Sequence, residues 1–404
     1  MPMKVSGRTR VQLSAMMFLE FFIWGGWFVT MGTYLTKSLA ASDVENGMAY
    51  GTQSWGAIIA PFFIGLIADR FFPAQRILGI LHLCGACLLF YMGNAENFNS
   101  FYPAVFGYMI VYMPTLALVN TVAFKQLDDA EKQFASIRVW GTIGWIIAGL
   151  TIGWFAWEKD GMLQNTFKLT AIMSAILGVF SFTLPNTPAP KAGTKAPVGE
   201  IIGLDSIKLL KDKNFLIFFL SSFLICIPLA FYYQETNKFL NESGVSGAAG
   251  VMSMGQMSEM LFMVFMPWFF KKLGVKKMLL FGMLAWVLRY LMFGFGDAEA
   301  GIWLLYGGII LHGICYDFFF VTGQIYTDNR AGENIRASAQ GMITLATYGI
   351  GMLIGFWVAG QVSEKYKLAE GHAWKDIWMV PAGIAAVVMI LFLLLFKDGT
   401  QKEQ

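Results

Sequence analysis

Four carboxylates, Glu20, Glu235, Glu259 and Asp317, lie deep within long apolar runs, and Arg138, Arg289 and His312 share that setting. An ionised side chain in hydrocarbon costs about 2.5–3.5 kcal/mol on insertion scales, so each of these groups needs a partner or a task. Glu20 shares a helical face with Trp24 and Trp27, four and seven positions on, which turns one carboxylate and two indoles the same way. They line a cavity, or Glu20 ties down a neighbouring helix and the indoles pack. Arg138, Thr142 and Trp145 repeat the spacing with a cation, a hydroxyl and a flat aromatic surface, a set suited to a polar planar ligand. The alternative is an Arg138 that snorkels to the membrane surface. Gln256 and Glu259 sit one turn apart among methionines, and His312 precedes Tyr316 by four residues with Asp317 next. A carboxyl group withdrawn from water exchanges its charge for a proton, so Glu259 and Asp317 are proton-site candidates, with Glu20 third; a structural ion pair is the competing reading. Arg289 reads as a structural partner or a snorkelling residue, and His312 is open to a functional or a structural role. Tyr232-Tyr233-Gln234-Glu235-Thr236-Asn237, just after the helix-bending Pro228, is either a gate with ligand contacts or an interfacial aromatic belt.

The elements that position these groups are membrane spans. With 56% hydrophobic and 14% charged residues, the chain has too little polar surface to cover a soluble globule. Crossing about 30 Å of hydrocarbon takes roughly 20 apolar residues. Such runs fall at 11–36, 48–69, 76–93, 101–124, 133–156, 166–184, 214–240, 248–270, 277–295, 301–326, 336–360 and 375–396. The second half echoes the first: Ile137-Arg138 is matched by Ile335-Arg336, and Gly93-Asn94-Ala95-Glu96 by Gly296-Asp297-Ala298-Glu299. Fused halves of this kind predict an alternating-access carrier with a central cavity. The domains are expected at 1–185 and 213–404, each a six-helix bundle, with the Pro- and Lys-rich segment 186–212 as a cytoplasmic linker carrying a short surface helix near 203–211.

Of the 29 Lys and Arg residues, 21 fall on the side that holds both termini, seven on the other, and Arg289 lies within a span. The positive-inside rule therefore places both termini in the cytoplasm. The net charge of +3 is spread over loops and forms no nucleic-acid patch. The basic amino terminus leads into a run too long for a signal peptide, and no small-residue cleavage site follows it. Cys84 and Cys87 form a lone C-x-x-C that merely shares a helix face, and Cys226 and Cys315 also sit in spans, so packing is their expected role. No enzymatic, metal-binding or phosphate-binding motif occurs, so neither an enzyme nor a cofactor is expected.

Several motifs carry a resemblance to a known family. Gly65 to Arg76 resembles the loop signature of the major facilitator superfamily, a glycine-led Asp69-Arg70 turn between the second and third spans. Tyr112-Met113-Pro114-Thr115-Leu116, Ile137-Arg138-Val139-Trp140-Gly141-Thr142-Ile143-Gly144, Gln256-Met257-Ser258-Glu259, Asp317-Phe318-Phe319 and Ile335-Arg336-Ala337-Ser338-Ala339-Gln340-Gly341 resemble the bacterial nucleoside:proton symporters, over about residues 11–396. The resemblance implies an all-α integral membrane protein of twelve transmembrane helices in two pseudo-symmetric six-helix bundles, importing nucleosides with protons across the bacterial inner membrane. It places substrate contacts at Arg138, Thr142, Gln256, Glu259 and Asp317. This chain departs from the better-known members at Trp145, Glu20, Ala230 and Tyr233, where they have Phe, Gln, Gln and Asn.

A nucleoside needs carboxylates and amides for its ribose hydroxyls and an aromatic face for its base. Gln256, Glu259 and Asp317 supply the first; Trp145, Tyr316 and Tyr233 supply the second. A phosphorylated substrate would require clustered cations, and Arg138 alone is expected in the cavity. The alternative substrate is another neutral polar solute, a sugar or nucleobase. Asp69, Arg70 and Arg76 are the expected cytoplasmic gate, with Asp69 accepting from the free N–H groups at the start of the eleventh span near Ser338. The lipid bilayer, nucleoside and protons are the expected partners of a monomer.

Overall fold

The computed structural model describes residues 6–63, 72–127, 130–189 and 204–397. Asp69 and Arg70 lie outside these residues, as does most of the linker. The described chain is helical, with one isolated bridge between Lys367 and His372. Nine of its helices are long and apolar enough to cross a membrane. Their outer faces are apolar: Trp154, Val264 and Leu394 are 86%, 71% and 70% exposed, while Glu20, Arg289 and Asp317 are 0% exposed. A surface that shows many large apolar side chains while ionisable groups are fully buried is solvated by lipid, and helices satisfy their own backbone groups there. The protein is a multi-pass membrane protein.

Helix starts follow the side chains that accept orphan backbone N–H groups. α1 (Gly7–Gly25) is capped by Ser6, which accepts from Thr9 N at 3.1 Å. It breaks at Gly25-Gly26, passes a 3-10 turn at Phe28–Thr30, and continues as α2 (Met31–Ser38). α3 (Asp43–Phe63), α4 (Ala74–Met92), α5 (Phe98–Gln126), α6 (Ala130–Trp154) and α7 (Gln164–Ser181) follow. Asn97 caps α5 through Ser100 N at 2.9 Å. α8 (Lys213–Glu242) contains Pro228, and a short 3-10 helix, Leu204–Lys211, precedes it where the sequence predicts a surface helix. The run Ala248–Phe295 (α9) turns at Gly274, whose φ of 69° only glycine adopts freely. α10 (Ile302–Ile310), α11 (His312–Tyr316) and α12 (Thr322–Thr344) are joined by a π-helical stretch at Asp317–Val321, and a second π-helical stretch, Leu345–Gly351, leads into α13 (Met352–Lys365). α14 (Trp374–Leu395) ends the fold.

Contacts divide the chain into two compact units, one of Met1–Pro197 with Tyr233–Ser253, the other of Val198–Tyr232 with Met254–Gln404. In the first, α1 packs along α6 and α7, and α4 along α5 and α7. The α1–α6 approach is close: a Cβ on Gly144 would stand 2.2 Å from the Phe18 carbonyl oxygen. In the second, Met266, Met278 and Phe318 centre an apolar cluster backed by Phe262 and Phe269.

Candidate functional site

In the first unit, Glu20 is fully buried and surrounded by partners. Its Oε2 lies 2.8 Å from His82 Nε2, the Thr115 hydroxyl donates to its Oε1 at 2.6 Å, and the Tyr112 hydroxyl donates to its carbonyl at 2.8 Å. Behind His82, Ser174 donates to the His82 carbonyl at 2.8 Å and meets Nδ1 at 3.1 Å. Trp24, from the same face of α1, sets its ring edge-on to Trp145 at 5.4 Å and to Tyr112 at 5.8 Å. The Trp24 indole N–H has no acceptor among the described residues. Arg138 lies with its guanidinium carbon 3.9 Å from the Phe21 ring centroid, a cation–π contact. Arg138, Thr142 and Trp145 are all half-buried on α6, so their stripe stays accessible. Trp27 instead packs in the core against Phe28, Tyr108 and Phe167.

The same unit buries a second charged group. Lys238 on α8 pairs with Asp43 at the start of α3 and with Glu235 one turn back, the latter at 2.8 Å. Glu158 accepts from the side chains of Asn237 and Asn241 and from the backbone N–H of Ala249, where its charge suits the start of α9. Thr33 completes the set by donating to Asn237 Oδ1 at 2.6 Å. Gln234 to Lys238 are therefore buried against α2, α3 and the α6–α7 turn, not spread along a lipid interface. Tyr233 stands 5.8 Å from the Phe28 ring.

In the second unit, two glycines bring α9 against α10 and α11. A Cβ on Gly255 would lie 3.1 Å from the His312 Cβ, and one on Gly313 would lie 2.7 Å from the Glu259 backbone nitrogen. Ser258 fastens the contact by donating to the Ile310 carbonyl at 2.6 Å. This sets His312 Nε2 3.7 Å from Glu259 Oε2, and Arg289 Nη1 meets the other ring nitrogen, Nδ1, at 3.2 Å. Arg289 also rests on the Tyr232 ring at 3.5 Å. Asp317 lies within Coulombic range of Glu259, yet neither of its carboxylate oxygens has a hydrogen-bond partner among the described residues. It opens the Asp317–Val321 π-helical stretch, a distortion that recurs at functional sites. Tyr316, just before the first π stretch, and Tyr348, within the second, share a 2.6 Å hydroxyl contact. Gln256 is buried one turn before Glu259.

Within each unit the expected residues converge: Arg138, Thr142 and Trp145 in one, Glu259, Tyr316 and Asp317 in the other. Arg289, expected to be a structural or snorkelling residue, is fully buried and faces His312. Arg76 is exposed on the first turn of α4. Sequence reasoning missed His82, Asp43 and Glu158, and it counted Lys238 only as a loop charge. The rule that flagged Glu20, an ionisable group inside an apolar run, also applies to His82 in the run 76–93. The four cysteines are free thiols.

Ionisable groups buried inside apolar helices mark substrate and ion pathways in membrane proteins, the setting of a secondary transporter. The family model "Nucleoside H+ symporter" matches residues 7–401, and the chain belongs to that family. It is 41% identical over 404 residues to a candidate nucleoside transporter of Escherichia coli, YegT, covering 97% of this chain and 95% of that one. It is 32% identical over 403 residues to the nucleoside permease NupG of Escherichia coli, covering 96% of each. The crystal structure of the nucleoside transporter NupG superposes with a TM-score of 0.88 at 31% identity, covering 97% of this chain and all of that one. The chain is a proton-coupled nucleoside transporter and not an enzyme.

Proposed function

We propose that this protein takes up nucleosides by alternating access as a monomeric, twelve-span carrier of the bacterial cytoplasmic membrane, with both termini inside. Twelve spans result when Ala248–Phe295 is taken as two that turn at Gly274 and when Asp43–Phe63 and Gln164–Ser181 join the other apolar helices. The arrangement is then two six-helix bundles of the major facilitator fold, 1–185 and 213–404, joined by the linker 186–212. Asp69, Arg70 and Arg76 serve as the cytoplasmic gate.

Trp145, with Tyr316 and Tyr233, offers aromatic faces to the base, while Arg138, Thr142, Gln256 and Glu259 bond its polar edge and the ribose. The proton rides on Asp317. The observation that carries this assignment is the contrast between a buried Asp317 with no hydrogen-bond donor among the described residues and Glu20, whose oxygens are already engaged. A buried carboxyl without a donor is cheap to occlude when neutral and costly when charged. Proton entry and substrate translocation are thereby linked, and a membrane potential contributes about 2.3 kcal/mol per charge per 100 mV to accumulation.

Proteoliposomes test the assignment. Asp317→Asn should retain counterflow of labelled nucleoside while losing proton-driven accumulation, because the amide mimics the protonated acid. Accumulation at the parent level would remove Asp317 from the role.

A further inference from the structure

We infer that Arg289 and His312 form a fixed hydrogen-bond relay that aims an imidazole N–H at Glu259, holding Glu259 as the charged acceptor for substrate and leaving the transported proton to Asp317. The inference rests on the reading of Glu259 as a substrate contact and Asp317 as the proton carrier. It adds two positioning residues to that site.

The guanidinium of Arg289 has donors only. Its Nη1 meets His312 Nδ1 at 3.2 Å, so Nδ1 must accept, and the single proton of the neutral ring sits on Nε2. An imidazolium would set N–H against N–H. Nε2 faces Glu259 Oε2 at 3.7 Å, longer than a hydrogen bond, so the neutral ring points its N–H at the carboxylate across a short gap. Such contacts are often long before substrate arrives. The ring cannot turn away easily, because it stacks on Tyr232 at 5.0 Å while Arg289 rests on the same Tyr232. Gly255 and Gly313 keep α9 too close to α11 for a side chain to come between them. The charged and titratable groups around the relay are Arg289, Glu259, Tyr232, Tyr290, Cys315 and Tyr316, with Asp317 beyond Glu259.

Two neighbouring carboxyl groups thus receive opposite treatment: an imidazole N–H is aimed at Glu259, while Asp317 has no donor among the described residues. Environments that separate paired carboxyls in this way divide them into a charged and a proton-carrying member. His312 itself is neither the proton carrier nor a substrate ligand.

The test is the pH dependence of nucleoside binding to purified protein. His312→Leu removes the donor, so Glu259 should take up a proton nearer neutrality, and the acid-side pH at which binding is half lost should rise by about one unit, tenfold in proton affinity. His312→Gln restores an N–H donor and should leave that midpoint near the parent's. A His312→Leu protein with weaker binding at every pH and an unmoved midpoint would overturn the relay. An infrared measurement keeps the question open to refutation even if His312→Leu does not fold. In Asp317→Asn protein at neutral pH, no protonated-carboxyl band should vanish on adding Glu259→Gln, whereas loss of such a band also overturns the relay. Glu259→Gln alone separates the two readings: parent-like binding by that variant would refute the substrate role of Glu259 without touching the hydrogen-bond geometry.

Discussion

His82 Nε2 stands 2.8 Å from Glu20 Oε2, and the hydrogen-bond pattern behind the ring fixes how many protons the pair holds. Ser174 donates to the His82 carbonyl, so its oxygen faces Nδ1 with a lone pair and Nδ1 carries a proton. One further proton lies between Nε2 and Oε2. Whichever atom holds it, the pair is net neutral and sealed from solvent. His312 has the opposite polarity, with Nδ1 accepting from Arg289 and Nε2 donating toward Glu259.

The first prediction is that the Glu20–His82 pair supports the fold and not the coupling. Glu20→Gln keeps both contacts, since its amide donates to Nε2 and accepts from Thr115, and it should accumulate nucleoside as the parent does. Glu20→Leu strands a buried imidazole, and breaking a buried pair costs about 3–5 kcal/mol. Thermal unfolding in detergent should show the loss. If Glu20→Gln exchanges substrate but cannot accumulate it, the coupled proton passes through Glu20.

The second prediction concerns Lys238, which pairs with both Asp43 and Glu235 where water does not reach. Lys238→Met removes the cation that both buried carboxylates face and should lower the unfolding temperature strongly. Adding Asp43→Asn and Glu235→Gln removes the charges and should recover part of the loss. A Lys238→Met protein that melts with the parent would show that the cluster contributes little.

Much of this arrangement is legible in the chain, and the illegible part has a physical pattern. Spacing along one helix shows which side chains share a face, so the Arg138, Thr142 and Trp145 stripe and the neighbours Tyr316 and Asp317 can be read directly. Spacing does not show which helices meet. Glu20 finds His82 on α4, and Arg289 finds His312 on α11, through packing set by residues such as Gly255, Gly313 and Gly144. The π-helical stretches at Asp317–Val321 and Leu345–Gly351 leave no mark in hydropathy. A positive-inside count misreads Lys238 because it treats a lysine near a span end as solvated, whereas Asp43 and Glu235 draw it inward.

The third prediction is that Trp145 carries base stacking. Its ring is half-buried and braced edge-on by Trp24, so one aromatic face is held in place for a planar ligand. Trp145→Ala should weaken nucleoside binding by about 1–3 kcal/mol, the usual worth of a base–aromatic stack. Trp145→Phe keeps an aromatic face and should lose far less. Calorimetric titration that finds both variants equal to the parent would make Trp145 a packing residue only.

The last prediction uses glycine geometry to separate the Glu259 site from the fold around it. A Cβ at Gly313 would stand 2.6 Å from the Ser258 carbonyl carbon and 2.7 Å from the Glu259 nitrogen, both backbone atoms that no rotamer change can move. Gly313→Ala must therefore push α11 away from α9, lengthening the His312–Glu259 contact and straining the Ser258 bond to Ile310. Overpacking of this kind costs about 1–3 kcal/mol. A Cβ at Gly341 meets nothing within 4 Å, so Gly341→Ala is the matched control and should leave stability unchanged or slightly higher, as helix propensity favours alanine. Gly313→Ala should lower both the unfolding temperature and nucleoside affinity, and Gly341→Ala should lower neither. Equal behaviour of the two variants would mean that α9 and α11 do not approach each other as closely as this packing requires.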